Sequence, residues 1–74
     1  MKILVINPNT TLEMTKSIGE MAEKYCMLGT KITAISPEWG PRSIEGHFEE
    51  YLSAMATVET VAKFKEDYDA FVIA

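Results

Sequence analysis

The sequence predicts an α/β fold, a parallel sheet in βαβαβ order with helices forming the outer layers. Three observations carry this. Three apolar runs have the length of strands, two longer stretches between them repeat apolar residues at helical spacing, and turn or loop signals stand at the junctions. Helical crossovers between short apolar strands imply parallel pairing with right-handed connections.

Residues 2–6 form a continuous apolar run rich in β-branched residues and stopped by Asn7-Pro8. Such a run reads as a strand buried on both faces. Thr10 followed by Glu13 has the form of a capping box, in which the threonine hydroxyl accepts from the first turn and the glutamate reaches back. A helix over 11–28 follows, with Met14, Ile18, Met21, Ala22 and Tyr25 as its apolar stripe and Gly29 at the left-handed cap position. A second strand spans 31–36 and ends at Pro37. Pro37 to Gly46, with two prolines and two glycines, is a long loop. A second helix covers 47–65, with Phe48, Leu52, Met55, Val58, Val61 and Ala62 facing the core. Asp67-Tyr68-Asp69 is a turn, and 70–74 is the third strand.

A chain of 74 residues allows one small domain at most, burying only about 60–65% of its unfolded surface. The third strand stops with no loop after it. Residues 1–74 are therefore expected to be the N-terminal part of a first α/β domain, truncated after the third strand and weakly stable alone. A 2-1-3 strand order would set the Asn7 and Ala74 ends side by side at a switch point, beyond which open sheets of this kind bind their ligands.

The charge of −4, with basic residues scattered singly, points away from nucleic acid and anionic membranes. One cysteine, Cys26, permits no internal disulfide and implies no oxidising compartment. The first apolar run is too short for a signal peptide or a membrane span, which makes a soluble cytoplasmic protein the expectation. The glycine-rich dinucleotide fingerprint and the Gly-Lys-Ser/Thr phosphate loop are both missing from the sequence, so nothing suggests a nucleotide cofactor. No second His or Cys stands at ligand spacing, so no metal site is expected.

Two loops could carry chemistry. Asn7-Pro8-Asn9-Thr10 lies where first-turn amides and the helix dipole favour a polar or anionic ligand, and the two asparagines can both donate and accept. The same residues are also good turn and cap formers. In Gly40-Pro41-Arg42-Ser43-Ile44-Glu45-Gly46, Ser43 and the amides around it could hold a carboxylate or ring carbonyl. Arg42 could neutralise an anion or stand in solvent. Trp39 could line a pocket or cap the core edge, whereas Glu45 and His47 read as surface. Cys26 reads as a small buried hydrophobe.

Together these motifs resemble the aspartate/glutamate racemase superfamily, closest to the hydantoin and allantoin racemases. Ile6-Asn7-Pro8-Asn9-Thr10 with Met14-Thr15, the Gly40–Gly46 stretch, and Asp69-Ala70-Phe71-Val72-Ile73-Ala74 are similar to three of its motifs, in the same order along the chain. The resemblance implies a flavodoxin-like half of a two-domain fold and a cofactor-independent racemase acting on a small molecule. One cysteine thiolate would remove the proton and a second thiol would deliver one to the opposite face. Both cysteines would lie beyond Ala74, leaving no catalytic residue among the 74. Asn7, Asn9, Thr10, Arg42, Ser43 and Ile44 would bind substrate, and the full-length protein is expected to be a homo-oligomer. The alternatives are a non-enzymatic flavodoxin-like or receiver-like binding module, or a maleate isomerase or arylmalonate decarboxylase of the same superfamily. The missing carboxylates at Asn7-Pro8-Asn9 count against a receiver.

Overall fold

The computed structural model describes residues 1–25 and 27–74, so Cys26 lies outside the described residues. The elements are β1 (Lys2–Ile6), α1 (Leu12–Tyr25), β2 (Lys31–Ile35), α2 (His47–Phe64) and β3 (Ala70–Ile73). The sheet is parallel throughout, in the order β2-β1-β3. Ile3 and Ile6 of the central strand stand level with Ile32 and Ile35 on one side, and with Ala70 and Ile73 on the other. The chain steps one way from β1 to β2 and the other way from β2 to β3. Right-handed crossovers then put α1 and α2 on opposite faces of the sheet. Leu4, Val5 and Ile6 point alternately to the two faces, yet all are at most 5% exposed, as strands covered on both sides must be.

The strand boundaries and order match the sequence expectation to within a residue at each end. The helix faces match only in part. On α1 the inward residues are Thr15, Ile18, Gly19 and Ala22, while Met14, Met21 and Tyr25 are exposed. On α2 the buried residues are Ser53, Ala56 and Thr60; Leu52 and Val61 are half-buried, and Phe48, Met55, Val58 and Ala62 are exposed. The cause is the size of the inward residues. β1 supplies the bulky side chains, so the helices approach closely on small ones, and a Cβ added at Gly19 would stand 3.0 Å from the Cβ of Ala34 on β2.

The first helix also ends earlier than position 28. From Met27 the chain turns, with the Thr30 amide donating to the Met27 carbonyl at 3.0 Å and Gly29 in the left-handed region at φ 90°. This returns Lys31 to the sheet, where its amide donates to the Met1 carbonyl. Leu28 is fully exposed, so extending the helix would bury nothing there. At the far end of the sheet, the turn before β3 is fastened by the Lys2 amide donating to the Asp69 carboxylate at 2.6 Å. Tyr68 meets Phe64 edge to face and Phe71 at a tilt, with 6.2 Å between ring centres in each pair, beneath the Lys2 ammonium.

Candidate active site

Parallel pairing brings the three carboxyl ends to one edge of the sheet. Asn7 follows the central strand. Its amide donates to the Ile35 carbonyl at 2.9 Å, while the Ala74 amide donates to the Ile6 carbonyl at 2.9 Å. The ends of β1, β2 and β3 are thus fixed beside one another.

Asn7 is buried, and both polar groups of its side chain are engaged. Its Nδ2 donates to Thr15 Oγ1 at 3.1 Å, and its Oδ1 accepts from the Asn9 amide at 3.2 Å, closing an Asx turn. Thr15 Oγ1 donates to the Thr11 carbonyl at 3.2 Å and is hydrogen-bonded to Ser36 Oγ. With its own proton on Thr11, Thr15 accepts from both Asn7 and Ser36, which matches the one donor and two lone pairs of a hydroxyl. One buried threonine therefore joins the ends of β1 and β2 to α1.

The two candidate loops are also tied to each other. The Thr10 amide donates to the Pro41 carbonyl at 3.0 Å, Thr10 Oγ1 to the Gly40 carbonyl at 3.3 Å, and Thr11 Oγ1 to the Arg42 carbonyl at 2.7 Å. The capping box expected of Thr10 and Glu13 is not formed. The helix begins one residue later, at Leu12, and the Thr10 hydroxyl is directed across to the other loop, whose carbonyls would otherwise lack a donor. Gly40 makes this approach possible with φ 129°, a conformation that residues with a Cβ rarely adopt. On the far side, Ser53 Oγ of α2 donates to the Pro8 carbonyl at 3.0 Å.

Of the six residues proposed from sequence, Asn7, Asn9 and Thr10 share the loop after β1. Asn9 Nδ2 lies 3.6 Å from Met14 Sδ, and its Oδ1 is buried with no hydrogen-bond partner among the described residues. Ile44 shares a groove of about 380 Å3 with Pro8, Ser53, Thr57, Val58 and Ile73, at the end of β3. Arg42 stands apart, in a depression of about 400 Å3 with Thr10, Thr11, Leu12 and Glu13. Ser43 is exposed in the loop between them. Arg42 and Ile44 thus open onto different hollows.

Ser36 and Ser53 were not singled out from sequence, and Thr15 only as part of the Met14-Thr15 motif. A usable signal existed for Ser36, a hydroxyl at the carboxyl end of a strand where this class of sheet binds ligands. Beyond it, the Lys63 ammonium lies 2.7 Å from Glu38. That hydrogen bond and charge hold the Glu38 carboxyl below its ordinary range, and the same contact, helped by Glu59, holds Lys63 above its own. Trp39 is 38% exposed and its indole N–H donates to Glu59 at 3.2 Å, which fastens it to the edge of α2. Glu45 and His47 are exposed, as expected. Among the described residues no cluster of three acidic, His or Cys side chains could hold a metal, and no helix is long and apolar enough to cross a membrane.

A parallel α/β sheet in 2-1-3 order, with polar loops joined across its carboxyl edge, defines a ligand-binding class of domain. The family described as Asp/Glu/hydantoin racemase matches residues 3–74, and the chain belongs to that family. It is 52% identical over 75 residues to a hydantoin racemase of Pseudomonas sp. (strain NS671), and 42% identical over 76 residues to one of Paenarthrobacter aurescens. All of this chain is covered, against 30% and 32% of those proteins. Among solved structures it resembles an allantoin racemase from Klebsiella pneumoniae, with a TM-score of 0.95 and 44% identity over the whole chain and 31% of that one. An allantoin racemase from Pseudomonas fluorescens gives a TM-score of 0.93 and 40% identity, over 32% of its length. The chain therefore spans about a third of the length of the relatives it matches.

Proposed function

We propose that these residues form one binding wall of a cofactor-independent racemase that acts on a hydantoin, allantoin or a related amino-acid derivative. The observation that carries this reading is the match of all 74 residues to about a third of the length of hydantoin and allantoin racemases, at 40–52% identity. The site geometry supports it, because the loops that carry the shared motifs are fastened together at the carboxyl edge. In the full-length protein, a homo-oligomer of the cytoplasm, two cysteines outside the 74 residues exchange the proton on opposite faces of the stereocentre. One acts as thiolate and the other as thiol, which requires tuned pKa values near neutrality.

Within this wall the Asn9 carbonyl oxygen accepts from an N–H of the substrate's ring or ureide and the Ser43 hydroxyl donates to a substrate carbonyl, with Ile44 beside Ser43 and Arg42 at the outer rim. Asn7 and Thr10 act mainly by holding the backbone amides of the two loops in place. Donors set in advance at the oxygen that becomes an enolate lower the barrier to proton removal without reorganising.

The test uses the full-length protein, extensively dialysed, with single enantiomers of 5-substituted hydantoins and of allantoin. Loss of optical rotation, with solvent deuterium entering the stereocentre, is the expected result. Asn9→Ala and Ser43→Ala should each lower turnover by about a hundredfold while the melting temperature holds. Stable optical rotation with every substrate would overturn the activity, and full turnover in both variants would overturn the wall.

A further inference from the structure

Ser53 is a buried hydroxyl within α2, 3% exposed. A serine or threonine inside a helix can bond back to the carbonyl four residues earlier. Thr60, on the same helix, does so, donating to the Ala56 carbonyl at 2.8 Å. Ser53 directs its one proton elsewhere, to the Pro8 carbonyl at 3.0 Å, 45 residues away in the chain. The helix gains nothing from this, since alanine is the better helix former. What gains is the loop after β1. The Pro8 carbonyl belongs to the same peptide unit as the Asn9 amide, and a peptide unit is planar. That amide donates to Asn7 Oδ1 at 3.2 Å. One plane is therefore held at both of its polar groups, which point in opposite directions. Ser53 holds it from α2, and Asn7, itself bonded to Thr15 of α1, holds it from the other side.

The pyrrolidine ring already fixes φ of Pro8. The freedom left between the α-carbons of Pro8 and Asn9 is the turning of this plane, which changes ψ of Pro8 and φ of Asn9 together. The two bonds remove it. The following plane is held as well, by the Thr10 amide on the Pro41 carbonyl at 3.0 Å. Asn9 thus stands between two fixed planes, with an Oδ1 that bonds to no described residue. We propose that Ser53 is a positioning residue for Asn9: by holding the Pro8–Asn9 peptide from α2, it fixes the place of the Asn9 side chain and so its contact with a substrate N–H. The contact with substrate rests on the proposed racemase function, whereas the hold on the peptide does not. Without the hydroxyl the plane is free to rock, and a misplacement of about 1 Å can cost about a hundredfold in rate.

The test compares the full-length protein as wild type, Ser53→Ala, Asn9→Ala and the double variant. Racemisation of 5-substituted hydantoins and allantoin, thermal denaturation and hydrogen exchange of the Asn9 amide are measured on each. Ser53→Ala should lower kcat/KM by about ten- to a hundredfold when Asn9 is present, and by less than about twofold once Asn9 is alanine. The loss of melting temperature should be the same in both backgrounds. A merely structural Ser53 would give that equal loss of stability but not the kinetic coupling, so rate losses that multiply in the double variant overturn the proposal. In Ser53→Ala the Asn9 amide should exchange about tenfold faster or more, while the amides of β1 keep their wild-type protection. Unchanged exchange at Asn9 overturns the proposal whatever the kinetics. A wild type that racemises none of these substrates removes the proposed function, and the exchange result then decides alone whether Ser53 holds the peptide. Should Ser53→Ala fail to fold, Ser53→Cys, whose thiol is only a weak donor, replaces it with the same expected outcomes.

Discussion

Thr15→Val keeps the shape of a buried residue and removes only its hydroxyl. That hydroxyl accepts from Asn7 Nδ2 at 3.1 Å, donates to the Thr11 carbonyl at 3.2 Å, and is bonded to Ser36. The Thr11 carbonyl keeps the Thr15 backbone amide as a donor, at 3.2 Å. Ser36 is half-buried and can turn to water. Asn7 has neither recourse, being 2% exposed, so its amide is left unsatisfied. An orphaned buried donor costs about 1–3 kcal/mol, and a lost neutral hydrogen bond about 1 kcal/mol, which places Thr15→Val at about 2–4 kcal/mol. In a protein of about 150–250 residues this lowers the melting temperature by roughly 4–16 °C. Thr15→Ser is the control, because it keeps the hydroxyl and gives up a methyl worth about 1 kcal/mol. Thermal denaturation of both variants in the full-length protein is the assay. A Thr15→Val melting within about 1 °C of wild type, or a Thr15→Ser that suffers more, would show that packing rather than the polar network holds this corner.

Gly19→Ala should not stabilise, although alanine is favoured over glycine in a helix by about 1 kcal/mol, because the new methyl meets the Ala34 Cβ at 3.0 Å and overpacking costs about 1–3 kcal/mol. Adding Ala34→Gly should relieve that clash, and a double-mutant cycle with no coupling would contradict the close approach. For Glu38 and Lys63, an NMR titration should find the carboxyl below its ordinary range, moving back towards it in Lys63→Met or at high salt. The depressed carboxyl contributes stability above the ordinary glutamate range and loses it as pH falls through its folded value. The raised Lys63 contributes below the ordinary lysine range and loses it as pH rises through its own. Because both groups are exposed, the effect on stability should be small at any pH.

The sheet was legible because its signals are local. The Ile3–Ile6 run, the Asn7-Pro8 stop and the 70–74 run each mark a strand without reference to anything distant, and crossover handedness does the rest. The helix faces were not legible, because apolar periodicity weighs large residues. Met14 and Met21 register as core, whereas Thr15 and Gly19 do not, and here close packing puts the small residues inward. The site was read in part. Asn7 and Thr10 stand out as turn residues, but their hydrogen bonds cross between positions 7 and 15, 10 and 40, and 11 and 42. The last two pairings join loops some 30 residues apart, which no local pattern encodes. The Thr10–Glu13 motif misled for that reason, since a nearby carbonyl outcompetes the helix end for the threonine hydroxyl.

The same network bears on how such a wall can work. A side chain that must meet a ligand needs an accessible polar group, and Asn7 is 2% exposed, with its amide and its carbonyl each already bonded, to Thr15 and to Asn9. What Asn7 provides instead is position. It fixes the turn through Pro8 and Asn9, while Ser53 holds the Pro8 carbonyl from the other face of the sheet. The bonds from Thr10 and Thr11 to Gly40, Pro41 and Arg42 then carry that position over to the second loop. Donors stabilise a developing charge best when they do not have to move to meet it, so under the proposed function stiffness in this corner would favour catalysis. Asn7→Ala should accordingly lower stability and turnover together, whereas Asn9→Ala, which alters a side chain whose Oδ1 has no partner among the described residues, should lower turnover alone. Melting curves and kinetics on the same two proteins would separate a residue that positions the loops from one that, under the proposed reading, contacts the substrate.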